Sequence, residues 1–395
     1  MSHHVVVLGG GFAGVEAAIH LRKAGLRVTL VSARDYLYMY PVSIWVPTRE
    51  VEFEDVCVPL AELADKHGFE LVVEEVQRID PGAQIVHTTL STIPFEYLIV
   101  AFGGAKLKPK GVEHTLSLCG APEQSTQLRD RLDALIAKGE GRIAVGFGGN
   151  PKDSSAVRGG PAFEFIFNVH KLLKDKGVRD RFELTFFAPM PKPGIRMGED
   201  AYGAMEGMFE RMGIKKHFGV PITAFEADGV RFKDDTFIPA DLTMFIPAGS
   251  GHPVIEASGL PVNEAGFVRI NDYCEVDHNY YESPDKYPIF AVGDVAALEG
   301  PDWRAKQGHV AEVMARVAAE NIVHMVQGRE DRVGYQEHVS ILCVMDTGDG
   351  AAFVYRDDHK ASMTPLPWVG HWLKKGWGWY WRNSKKGKIP RLPGM

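Results

Sequence analysis

The chain is poor in cysteine and holds nothing long and apolar enough to cross a membrane. Four cysteines, Cys57, Cys119, Cys274 and Cys343, are scattered through 395 residues without a Cys-x-x-Cys pair. That argues against a structural zinc site or a disulfide framework and for a reducing, cytoplasmic setting. None of the fifteen histidines shows His-Glu-x-x-His or comparable ligand spacing, so no metal is expected, and His3-His4 read as surface decoration. No run of about eighteen apolar residues occurs. The apolar start also lacks a basic leader and a cleavage site, so neither a spanning helix nor an export signal is expected. Acidic residues are missing from 368–395, which hold seven basic ones: Lys374, Lys375, Arg382, Lys385, Lys386, Lys388 and Arg391. The rest carries 37 basic against 51 acidic residues, so a body of −14 meets a tail of +7.

What is present starts at Val5-Val6-Val7-Leu8, a buried-strand run that breaks into Gly9-Gly10-Gly11-Phe12-Ala13-Gly14 and opens a helix. In this Gly-x-Gly-x-x-Gly order Gly9 permits a tight turn, Gly11 admits a pyrophosphate and Gly14 allows close packing, with the positive helix end toward the phosphates. Arg27–Val31 reads as the second strand, but the acid expected at its end for a ribose is Ser32, a weaker partner. Two further landmarks follow. Phe95–Val100 ends in Ala101-Phe102-Gly103-Gly104, and Ile289–Val292 ends in Gly293-Asp294 before a helical pattern from about Lys306 to Val326. Between them, Arg142–Gly146 is a strand whose glycines do not run straight into a helix. Residues 151–158 intervene, and the helix is expected near residue 160, with Pro161 in its first turn. Such a detour dismantles a nicotinamide phosphate cradle.

The three landmarks resemble the flavoprotein disulfide reductase superfamily, in which the Gly-Asp acid binds the ribityl chain of FAD; Asp294 takes that role by position. The resemblance implies an α/β fold with two Rossmann-like dinucleotide-binding domains. Residues 1–104 and 271–330 would bind FAD, 105–270 would form a second domain with a degenerate nucleotide site, and 331–395 a small membrane-surface region. Gly160-Pro161-Ala162-Phe163-Glu164-Phe165 is more specific and resembles the sulfide:quinone oxidoreductases and flavocytochrome c sulfide dehydrogenase. Ser32-Ala33-Arg34-Asp35-Tyr36 with Pro41 is similar to that family's flavin segment. Cys119 falls where many members carry a cysteine and is the thiol to examine for covalent flavin attachment. Lys306-Gln307-Gly308 is similar to its Lys-x-Gly, and Ile341–Phe353 to the segment bringing a redox cysteine, here Cys343, to the flavin.

In that family sulfide opens a bond between two cysteines, and the second cysteine precedes Gly-Pro-Ala; here the place is held by Arg158. A fixed charge there would lower a thiolate pKa or hold an anionic substrate such as hydrosulfide. Glu164 is a candidate proton carrier and Lys306 a candidate partner for negative charge on reduced flavin.

Five of the seven tryptophans, Trp368, Trp372, Trp377, Trp379 and Trp381, lie within fourteen residues, with Tyr380 and the tail lysines interleaved. Rings of this kind favour the bilayer interface, and basic residues contribute roughly 1 kcal/mol each near anionic headgroups. Gly370, Gly376 and Gly378 weaken a single continuous helix. The reading is a monotopic FAD enzyme on the cytoplasmic side of a membrane, passing electrons from sulfide or another reduced sulfur species to a membrane quinone beside Val344 and the tail aromatics. The acidic body argues against nucleic acid, and a homo-oligomer is compatible with all of this. Two rivals remain: a type II NADH:quinone oxidoreductase, and a flavin-holding membrane-surface protein silenced by Arg158.

Overall fold

The opening strand, His4–Leu8, is apolar on both faces because it becomes the centre of a sheet covered on both sides. The computed structural model describes residues 3–277 and 289–392. In it the strand lies between Tyr97–Val100 and Arg27–Ser32, with Ile289–Ala291 and Glu70–Val73 outside them. All five strands run parallel, Leu8 standing level with Val31 on one side and Val100 on the other. The glycine turn, Gly103 and Gly293-Asp294 therefore emerge from neighbouring strand ends, the crevice where open α/β sheets bind ligands. His3 and His4 are more than decoration, since His4 heads the strand and bonds Thr29 Oγ1 at 2.9 Å while His3 bonds Glu96 at 2.6 Å.

Two helices cover this sheet together, Phe12–Lys23 and Gly308–Val326, packed side by side. The second starts two residues after Lys306, which stays outside it. A second parallel sheet has the order Lys215–Phe218, Phe182–Ala188, Gly141–Phe147, Leu242–Ile246. One face is closed by the helix Gly160–Asp175, whose Phe163 stacks on Phe186 at 4.6 Å. A small antiparallel sheet of Ile222–Glu226, Gly229–Phe232 and Phe237–Pro239 closes the other through Phe187, Phe225, Phe232 and Phe245.

Residues 331–395 hold more than a tail. Ile341–Asp346, Gly350–Arg356 and Ala361–Pro367 form an antiparallel sheet whose last strand, with Pro365 and Pro367, is an edge. One helix follows, Val369–Lys385, unbroken by its glycines. Two of them are contact points: a Cβ on Gly370 would stand 2.5 Å from Ala351 Cβ, and one on Gly378 2.8 Å from Val42 Cγ1, whereas Gly376 faces open space. No helix among the described residues is long and apolar enough to cross a membrane.

Candidate active site

The turn after the opening strand is shaped for a phosphate. Gly9 has φ +117° and lies so tightly on the Ala101 carbonyl that no Cβ fits, and Gly14 backs onto the Gly9 carbonyl as closely. At Gly11, where a Cβ would meet nothing within 4 Å, the start of the helix beginning Phe12-Ala13 looks onto open space. Gly293 comes within 3.4 Å of Ala13 by the same measure and brings Asp294 beside that helix end. Ser32 is buried and donates its hydroxyl proton to the Arg34 carbonyl at 2.7 Å, which leaves it an acceptor only toward a ribose. Arg34 lies 5.5 Å from the Tyr36 ring, and Pro41 opens the short helix Tyr40–Ser43 beyond Ala33. A backbone cradle, a turn that tolerates no side chain and one carboxylate at the next strand end are what a flavin adenine dinucleotide requires, and the residues present fit it.

The second domain has no such cradle. From Gly148 to Gly159 the chain folds inward. Asn150 Nδ2 donates to the Gly249 carbonyl at 2.9 Å, and Asp153 accepts from Ser155 N and Oγ at 2.9 and 2.6 Å and from Asn263 at 3.1 Å. With Asn150, Asp153, Ser155 and Ala156 all buried, the loop packs against the segment that carries Gly249, Asn263 and Phe267. The helix begins at Gly160 with Pro161 in its first turn, where the sequence placed it.

Arg158 leaves this loop and pairs with Asp294, joining the two domains across the crevice. It also bears on Lys106 and Tyr40, both of which feel the buried Cys119. Burial, helped by Arg158, pulls Lys106 down to about 8. Lys306 is fully enclosed, donates to the Ala296 carbonyl and sits 3.9 Å from the Phe267 ring; burial brings it down to about 7. Arg158 is not among the charges that act on the Cys343 thiol. Cys343, paired with Val354 in its sheet, is pushed up to about 12 by burial and by Glu164, with Lys374 alone opposing. Glu164 is enclosed rather than a surface helix acid. Burial raises it above the usual carboxylate range although Lys374 pairs with it and the Asp346 N–H donates to it at 2.7 Å.

The tryptophans divide in two. Trp368, Trp372 and Trp379 are 80%, 71% and 63% exposed. Val369, Trp372, Leu373, Gly376, Trp377, Tyr380 and Leu392 line an apolar groove of about 430 Å³. Trp381 does not belong to that face: it is 3% exposed, stacks on Phe12 at 4.5 Å and donates from Nε1 to Glu312 at 3.0 Å. The basic residues are also largely committed inward. Lys385 pairs with Glu16 and Glu312, Arg391 with Glu16, Lys386 with Glu62 and Lys375 with Glu50. Apolar area, more than tail charge, is what this helix offers outward.

Sequence reasoning missed Glu16, Glu50, Asp346 and His371. Glu16 carried a signal, an acid on the apolar side of a glycine-loop helix. The others carried none, because their partners lie far along the chain.

The pyridine nucleotide-disulphide oxidoreductase pattern matches residues 3–319. The sulfide-quinone reductase of Aquifex aeolicus is 32% identical over 385 residues, covering 90% of this chain and 84% of that relative. A type II NADH:quinone oxidoreductase of Staphylococcus epidermidis is 23% identical over 380 residues, covering 90% of each. The X-ray structure of the Aquifex aeolicus sulfide:quinone oxidoreductase superposes with a TM-score of 0.85 at 27% identity, covering 98% of this chain and 92% of that one.

Proposed function

The chain belongs to the pyridine nucleotide-disulphide oxidoreductase family, among the sulfide-quinone reductases, as an FAD-dependent quinone-linked oxidoreductase; from that premise we propose that its donor is sulfide or a related reduced sulfur species and its acceptor a membrane quinone. The observation that favours this over NADH oxidation is the inward-folded loop Gly148–Gly159, which leaves a nicotinamide pyrophosphate no cradle at the end of its strand.

Gly9, Gly11 and Gly14 with the Phe12-Ala13 helix start would hold the FAD pyrophosphate. Ser32, Ala33 and Arg34 would hold its adenosine side, Pro41, Ala101 and Gly103 would line the crevice, and Asp294 and Lys306 would meet the ribityl chain and ring. When bound, FAD supplies reversible two-electron transfer. Arg158, paired with Asp294, would turn its remaining guanidinium N–H groups to the crevice, where hydrosulfide or a persulfide could accept from them. Cys343 is held as a thiol by its surroundings and stands beside a carboxylate that burial makes a willing proton partner, Glu164. The exposed Trp368, Trp372 and Trp379 would lie in the bilayer interface, with the adjoining groove admitting the quinone.

The test is anaerobic stopped flow on purified holoenzyme with sulfide and NADH added separately, then a short-chain quinone. Bleaching of the flavin by sulfide and recovery with quinone is expected. Bleaching by NADH alone would move the protein to the NADH:quinone oxidoreductases, and silence toward both would leave a flavin-holding protein without this donor chemistry.

A further inference from the structure

Beneath the Trp-rich helix lies a line of ionisable groups of which only the inner end, Glu164, has so far been used. Glu50, half-buried after the segment Tyr40–Ser43, accepts from His371 Nε2 at 2.9 Å and from Lys375 Nζ at 2.8 Å. His371 Nδ1 donates to Asp346 Oδ2 at 2.7 Å. Asp346 Oδ1 accepts from Asn168 Nδ2 at 2.9 Å, and the Asp346 N–H donates to Glu164, itself paired with Lys374 beside Cys343. Asp346, Asn168, Glu164 and Lys374 are all buried. Enclosing so many charges is costly, and apolar packing would fasten a helix as well.

Asn168 adds an independent sign. Its Nδ2 donates both to the Glu164 carbonyl at 2.8 Å and to Asp346, which fixes the amide orientation, yet its enclosed Oδ1 has no partner among the described residues. An enclosed amide oxygen without a partner requires a donor, and a bridging water meets that need. The groups facing His371 are Asp346 from the sheet, Glu50 from the neighbouring loop, and Lys374 and Lys375 from its own helix; Lys171, which also feels Asp349, acts on Glu50 from the helix Gly160–Asp175. Two carboxylates, one at each ring nitrogen, keep both imidazole protons in place and raise His371 to about 9, so at neutral pH it carries a proton.

We infer that Glu50, His371 and Asp346 form a proton path from the surface, bridged by a water on Asn168 Oδ1 to the Glu164–Lys374 pair, and that it feeds quinone reduction. This rests on the quinone reading above. Hydrosulfide gives up two electrons and one proton, whereas a quinone takes two electrons and two protons to become a quinol. One proton must therefore come from water. His371, an imidazolium at rest, gives its Nδ1 proton to Asp346, from which a proton passes across the water to Glu164 and from Glu164 to the quinone oxygen; the neutral ring then regains a proton from solvent by way of Glu50.

The test takes holoenzyme whose flavin has been photoreduced anaerobically, so that the donor does not enter, and mixes it with a short-chain quinone at several pH values in H2O and D2O. His371→Gln and Glu50→Gln are expected to slow reoxidation at saturating quinone about tenfold or more, to shift its pH profile and to enlarge the solvent isotope effect. Imidazole is expected to restore His371→Ala. A tie that only held the helix in place would change quinone affinity or melting temperature and would not be rescued. Should His371 variants misfold, Glu50→Gln, at the wetter end, decides. Rates within about twofold of wild type with an unchanged pH profile would overturn the path alone. A reduced wild-type enzyme that quinone fails to reoxidise would overturn the acceptor assignment beneath it.

Discussion

Arg158 and Cys343 lie in different surroundings. Arg158 is tied to Asp294, while Cys343 faces Glu164 and Lys374. Replacing Cys343 with Ala is expected to lower flavin reduction by sulfide at least about a hundredfold at unchanged flavin content, read by stopped flow. The thiol itself can be probed without turnover. Glu164→Gln removes the carboxylate that raises Cys343 and leaves the Lys374 charge uncompensated, so the thiol pKa falls. Each unit of fall gives about tenfold more thiolate at pH 8, and iodoacetamide labelling followed by mass spectrometry should accelerate accordingly. Asp294 and Glu164 were legible in the sequence because each sits in a short local motif. Asp346 and His371 were not, since their contacts join strand, helix and loop across 25 to 321 positions.

The Trp-rich helix shows what a one-dimensional pattern conveys and where it stops. Its aromatic and basic content was evident, but which tryptophan faces out depends on the contacts of Gly370 and Gly378, which let the backbone sink onto Ala351 and Val42. Read as helix breakers, those glycines predicted the wrong element. Trp372→Ala and Trp379→Ala are expected to weaken binding to lipid vesicles in a flotation assay while leaving the melting temperature unchanged. Trp381→Ala should do the opposite, costing about 3–5 kcal/mol of stability in urea unfolding, because it vacates the stack on Phe12 and leaves Glu312 with Lys385 alone. The start of the helix at Gly160 was fully legible, because Pro161 suits only the first turn.

Across the whole molecule the basic tail and the acidic body answer one another. Lys374, Lys375, Lys385, Lys386 and Arg391 pair with Glu164, Glu50, Glu16, Glu312 and Glu62, so little of the +7 remains for headgroups. Vesicle binding should therefore change by less than about twofold between low and moderate salt, and little with the anionic lipid fraction. The same pairs set a pH window. Burial alone would raise Glu16, but hydrogen bonding to His20 and the charges of Lys385 and Arg391 override it and hold it well below the carboxylate range. Its contribution is present above the unfolded value near 4.3 and is lost as pH falls. The hydrogen bonds from His371 to Asp346 and Glu50 raise it to about 9, so its contribution is full below the unfolded value of about 6.5 and is lost as pH rises through about 9. Thermal melts should show the helix held best between these limits. The sequence revealed the charge split but not its destination, since paired and membrane-bound lysines look alike in one dimension.

Phe12 and Glu16 come early in the chain, yet the groups that cover them, Trp381, Lys385 and Arg391, come 369 to 375 residues later. During synthesis the nucleotide-binding turn thus leaves the ribosome long before its lid exists, and the buried carboxylate of Glu16 waits for its cations. Domains that form as they are translated must here hold one unfinished wall until the Trp-rich helix has been made. Docking of the Trp-rich helix onto the nucleotide-binding domain would then be the last event of folding, completed by a single stretch of polypeptide.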